Sequence, residues 1–187
     1  MADHAGPGRT QNTLGALALV ITDEMADVTA AAAGRADSAP AALSALLHFL
    51  DRPSVDRLRQ VLGLTSSGTV RLLDRLAAAG LIEREPGTDR RSTAIVLTDA
   101  GRSAAEQVCQ ARADILSRVT AVLSPAERAQ LDVLVGRMLV GMMREPGATR
   151  WICRLCDTGI CRGAAGGCPV GNEAIRRYGA QRQPPPA

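Results

Sequence analysis

The segment Leu64-Thr-Ser-Ser-Gly-Thr-Val-Arg-Leu-Leu-Asp-Arg-Leu76, followed after three alanines by Gly80-Leu-Ile-Glu-Arg84, changes its period midway. Val70, Leu73 and Leu76 recur at helical spacing and predict a helix from about Ser66 to Ala79, with those three side chains inward and Gly80 as its stop. From Leu81 the pattern shortens: Leu81–Glu85 reads as a strand, Pro86-Gly87 as a turn, and Thr93–Leu97 as the returning strand. A lone hairpin is marginal in water, so this one must pack on helices.

Working upstream, Pro53-Ser54 is a restart signal, and Val55, Leu58 and Leu62 predict a short helix stopped by Gly63. Leu43, Leu46, Leu47 and Leu50 mark an earlier amphipathic helix. Leu14, Leu17, Ile21, Met25 and Val28 mark a first one, ending in the alanine run before Gly34. Downstream, Thr98 or Asp99 caps a long helix carrying Val108, Ile115, Leu116 and Val119. Ser124-Pro-Ala-Glu127 is a capping box with proline at the first helical position, and its helix repeats Leu131, Leu134, Val135, Met138, Leu139 and Met142 on one stripe. The expected class is mainly α with a small β-hairpin. The first and last of these helices have broad apolar faces and no chain left to cover them. A twofold pairing of two copies is the expected cover, with an intramolecular three-helix bundle as the alternative.

Composition narrows the partners. Of 187 residues 46% are hydrophobic, enough for a core, but Phe49, Trp151 and Tyr178 are the only aromatics. That argues against readers of single strands or RNA, which stack bases on rings. Every basic residue is Arg. Residues 52–91 carry eight Arg against five acids, whereas the rest of residues 1–150 carries nine against twelve. The net +3 therefore conceals a locally positive middle, as expected where one face meets phosphate. No transmembrane run or signal-peptide pattern is read, so the expected location is the cytoplasm, where cysteines stay reduced.

A short helix bracing a second that enters the major groove is the helix-turn-helix device. Here Ser54–Leu62 braces, Gly63-Leu64 turns, and Thr65 opens the reader. Small hydroxyls at a helix start suit close approach to phosphates and base edges. The expected DNA contacts are Thr65, Ser66, Ser67, Thr69, Arg71 and Arg75 on the reader, with Arg90 and Arg91 at the hairpin tip, where arginine suits a narrow minor groove. Any one of these arginines alone reads as an ordinary solvated charge; their joint placement gives the expectation its weight.

The reader segment and first wing strand, together with Asp89-Arg-Arg-Ser-Thr-Ala-Ile-Val-Leu-Thr-Asp-Ala-Gly101, resemble the MarR (multiple antibiotic resistance regulator) family of winged helix-turn-helix regulators, over about residues 11–145. The resemblance implies a homodimer on a palindromic duplex that represses nearby genes and is often released by a small ligand or oxidant. It makes Arg91 the wing arginine and Asp89 its orienting partner. The low aromatic content departs from the family, whose ligand pockets often use rings. In this reading residues 1–150 form the winged-helix domain, with reader and wing at about 52–98 and dimerisation helices at about 11–34 and 99–145. A Cys-rich tail follows at 151–178 and a disordered end at 179–187.

That tail holds Cys153-x2-Cys156-x4-Cys161-x6-Cys168, four of the five cysteines. Thiolates so spaced, separated by glycines, can wrap a tetrahedral ion on a flexible loop, and Arg154 and Arg162 are placed to offset its charge. Zinc is the first expectation, an iron–sulfur cluster the second, and a metal-free dithiol switch the third. The tail either stabilises a regulator or senses metal or redox state. A Cys-x-x-Cys oxidoreductase is disfavoured, because Cys153 and Cys156 follow Pro146-Gly147 in a helical chain rather than a strand. A protein-binding adaptor without DNA ranks equally low, and no enzyme activity is expected. Cys109 reads as a small core residue and His48 as a helix-surface or core histidine.

Overall fold

The computed structural model describes residues 8–33, 38–87, 93–145, 147–163 and 167–179, with side chains omitted at a few of these. Its order is α1 (Arg9–Ala33), α2 (Ala39–His48), α3 (Val55–Leu62), α4 (Ser66–Ala78), β1 (Ile82–Pro86), β2 (Thr93–Leu97), α5 (Asp99–Thr120), α6 (Pro125–Gly141), then α7 (Ala148–Ile152), α8 (Thr158–Gly163) and α9 (Pro169–Tyr178). This is a mainly helical winged helix-turn-helix with a two-stranded antiparallel wing.

The helix starts have local chemical causes. The side chains of Ser54, Thr65, Thr98 and Ser124 each accept from a backbone N–H in the first turn of α3, α4, α5 and α6. At Ser124 the box is reciprocal: Glu127 Oε2 takes the Ser124 N–H at 2.8 Å. Gly63 ends α3 in the left-handed region, φ 66°, which glycine reaches without a Cβ clash.

The core is aliphatic. Leu43 and Ala45 of α2, Leu58 and Val61 of α3, Leu72, Leu73 and Leu76 of α4, Ile82 and Ile95 of the wing, and Ala105 of α5 interlock with little or no exposure. Val70, expected inward, is 47% exposed. The buried stripe of α4 runs through Thr69, Leu72, Leu73 and Leu76, which leaves Val70 about 100° off its centre.

In the wing, Ile82 pairs with Leu97 and Pro86 with Thr93. Pro53-Ser54 also joins it: Ile95 N–H donates to the Pro53 carbonyl at 3.0 Å, and Ser54 bridges Ala94. The β-hairpin is thus tied to the segment that opens α3. At its other edge, Thr98 Oγ1 donates to the Gly80 carbonyl at 2.6 Å while accepting the Gly101 N–H at 2.9 Å. The first turn of α5 lies so close to this bend that a Cβ on Gly101 would sit 1.7 Å from the Leu81 carbonyl oxygen.

Helix α1 lies along α5, with Arg118 paired to Glu24 at 2.9 Å. Leu14, Leu17, Leu19 and Val20 of α1, Leu134 and Met138 of α6 and Met142 at its C-cap remain exposed on the single chain. The tail is more ordered than a flexible loop. It forms three short helices, and α9 packs on α6, with Pro169 against Gly136 and Val170 only 1% exposed. Arg176, Arg177 and Tyr178 complete α9 at the end of this tail; residues 180–187 lie outside the described residues.

Candidate nucleic-acid interface and C-terminal thiol cluster

Thr65 caps α4 by accepting the Gly68 N–H at 3.1 Å, with its hydroxyl 3.4 Å from that of Ser67. Ser66 and Ser67 are exposed at this helix start, as are Arg71 and Arg75 one turn apart. Arg75 Nε donates to the Arg71 carbonyl at 3.3 Å. Thr69 does not join them. It is fully buried, and its hydroxyl donates to the Thr65 carbonyl at 3.0 Å, so it supports the cap from inside. Asp89, Arg90 and Arg91 lie outside the described residues.

Two ion pairs that the sequence does not signal tie the helix-turn-helix segment to the wing. Arg84 of β1 meets Asp74 of α4 at 2.7 Å. Arg52 pairs with Glu85 and donates to the Pro86 carbonyl at 3.3 Å, from a backbone with φ 43°. Both are solvent-exposed, so they set orientation more than stability. No local pattern signals them, because their partners are 10 and 33 residues away. A cavity of about 320 Å³ between α1 and α5 is lined by Val28, Ala111, Ile115, Gln107, Gln110, Asp114 and Arg118.

The tail brings its thiols together. Cys153 sits beside Cys156 and Cys168, and Cys168 beside Cys161. Cys168 caps α9 by accepting the Gly171 N–H at 3.3 Å. The shared proton from Cys153, aided by the Gly171 and Val170 N–H groups, lowers the Cys168 thiol to about 5. Cys156 falls to about 7, chiefly through its bond with Cys153, which is itself pushed up by both neighbours. Burial raises Cys161. Among the described residues no group of three or more His, Cys, Asp or Glu is arranged, as it stands, to hold a metal ion.

The cluster is moored to the helix-turn-helix half. Trp151 packs on the Gly63 turn, 3.5 Å from where a Cβ would sit. Thr158 Oγ1 donates to the His48 carbonyl at 3.1 Å, and Leu155 packs on the main core. His48 has a role the sequence does not suggest: Nδ1 lies 3.7 Å from Asp157 and Nε2 3.2 Å from the Cys109 sulfur. Cys109 is half-buried rather than fully enclosed, and burial raises its thiol.

The arrangement is that of a winged-helix protein with an exposed reader helix. Residues 33–92 match the model described as MarR family. No curated protein sequence matches the chain. Among solved structures it is similar to the YusO protein from Bacillus subtilis, 26% identical over 69% of this chain and 91% of that one, TM-score 0.58. It is also similar to wild-type MarR from E. coli, 25% identical over 67% and 96%, TM-score 0.52. A MepR variant from S. aureus bound to an oligodeoxyribonucleotide shares the fold at 18% identity, over 73% and 100%, TM-score 0.54. Among the described residues no helix is long and apolar enough to cross a membrane.

Proposed function

We propose that this chain is a MarR-type transcriptional regulator that binds a palindromic DNA duplex as a homodimer and represses neighbouring genes. The observation carrying this reading is the start of α4: Ser66, Ser67, Arg71 and Arg75 are exposed together on a helix braced by α3 and tied to the wing by Arg84–Asp74. Free N–H groups and small hydroxyls there can meet phosphate, while the arginines reach backbone or guanine. The same fold in MepR carries an oligodeoxyribonucleotide. The exposed apolar faces of α1 and α6 supply the dimer contact. The open groove between α1 and α5, where Val28, Ala111 and Ile115 meet Gln107, Gln110, Asp114 and Arg118, is the candidate place for a small effector. The test is fluorescence anisotropy on duplexes from the protein's own promoter region across a salt series. Affinity that falls with salt for one fragment supports the reading, and none for any fragment overturns it.

A second reading, control of DNA affinity by the thiol tail, is favoured by the contact of Trp151 with the helix-turn-helix bend at Gly63. Operator affinity measured before and after chelation or oxidation decides it. Unchanged affinity in a folded protein rules it out.

A further inference from the structure

We propose that Cys153, Cys156, Cys161 and Cys168 bind one zinc ion, and that the ion closes a strap joining the reader's brace helix to α6. The four cysteines lie at distinct places: Cys153 at the end of α7, Cys156 in the following turn, Cys161 within α8 and Cys168 at the cap of α9. Nothing in local structure requires their sulfurs to meet, yet α7 packs on α9 and so sets Cys153 beside Cys168, with Cys156 and Cys161 next to them.

The backbone bearing them is anchored on both sides. On one side Trp151 rests on Gly63, Leu155 packs against the main core and Thr158 holds the His48 carbonyl. On the other Pro169 seats on Gly136, Val170 is buried, and Arg177 donates to the Met143 carbonyl at 3.2 Å. The fold thus supplies proximity; the sulfurs are not yet in an ion-holding arrangement. Rotation of the thiol side chains, with their protons released to solvent as four S–Zn bonds form, completes the site.

Four thiols gathered in one short segment suit ligands of a single tetrahedral ion. A cluster requires its cysteines spread over several irons. A four-thiolate zinc site carries a net charge of −2, and the charges of Arg112 and Arg154 both act at Cys156. This small segment buries little beyond Val170 and Leu155, so the ion supplies closure that packing lacks.

The test uses the full chain purified without oxygen, and its readouts are independent of DNA binding. Expected are one zinc per chain, no visible absorbance, and a cobalt-substituted form with the intense bands of tetrahedral thiolate ligation. Iron with acid-labile sulfide, or a metal-free protein with freely alkylated cysteines, overturns the site. Cys161→Ser and Cys168→Ser should each lose the zinc while α-helical content stays within a tenth of the parent. Trp151 is the only tryptophan, so its emission reports the strap. Zinc removal should shift that emission to the red, and a loaded and stripped protein with identical emission overturns the strap.

Discussion

Gly101→Ala puts the account of how the wing is held under the greatest strain. Its Cβ would lie 1.7 Å from the Leu81 carbonyl oxygen, and real contacts of this kind stay beyond 3.0 Å. The first turn of α5 must therefore retreat by about 1.3 Å, or the Gly80–Leu81 bend must move away. Either motion pulls on two hydrogen bonds, Thr98 Oγ1 to the Gly80 carbonyl and Thr98 N–H to the Leu81 carbonyl. Overpacking of this kind costs about 1–3 kcal/mol. Each weakened hydrogen bond adds roughly 0.5–1.5 kcal/mol. A total of about 2–6 kcal/mol is a large share of an ordinary domain's stability and lowers Tm by roughly 4–24 °C at this size. Thermal unfolding followed by circular dichroism measures it, with Gly15→Ala, which meets nothing within 4 Å in mid-helix, as the comparison. A Gly101→Ala protein melting within a degree or two of the parent refutes the reasoning.

Arg71→Ala should weaken duplex binding by roughly 5- to 150-fold, or about 1–3 kcal/mol, without altering the melt, as read by anisotropy. Met138→Glu places a charge in the exposed stripe of α6 and should convert a dimer to a monomer by light scattering, with operator binding lost alongside. Ser124→Ala removes the cap of α6 and should cost about 1 kcal/mol in urea unfolding. The Glu127 carboxyl is held below its ordinary value, first by the Ser124 N–H and then by its hydroxyl. A carboxylate lowered on folding stabilises above the ordinary carboxylate range and loses that contribution as pH falls through its lowered value. The Ser124→Ala effect should accordingly shrink in acid titrations.

Elements set by local chemistry were readable from the chain alone. The capping box at Ser124, the Gly63 stop and the change of period at Leu81 each rest on neighbours a few residues away, and the structure places α6, α3 and the wing there. Phase within α4 was harder. Val70 and Thr69 are adjacent and of similar shape, and which one turns inward depends on where α3 and the wing press. The missed ties, Arg84 to Asp74 and Pro53 to Ile95, join residues whose proximity only the folded wing creates. The mooring of the tail is the extreme case, since Thr158 meets His48 across 110 positions. Spacing identified the cysteines as a set, but nothing in it shows that α9 lies on α6 or that Trp151 covers the reader's bend.

The molar mass of the protein on its own promoter duplex, measured by light scattering across a salt series, tests the dimer on DNA most directly. Two chains on one duplex, with a complex that dissociates steeply as salt rises, is the predicted result. A single chain that ignores every fragment at low salt contradicts it.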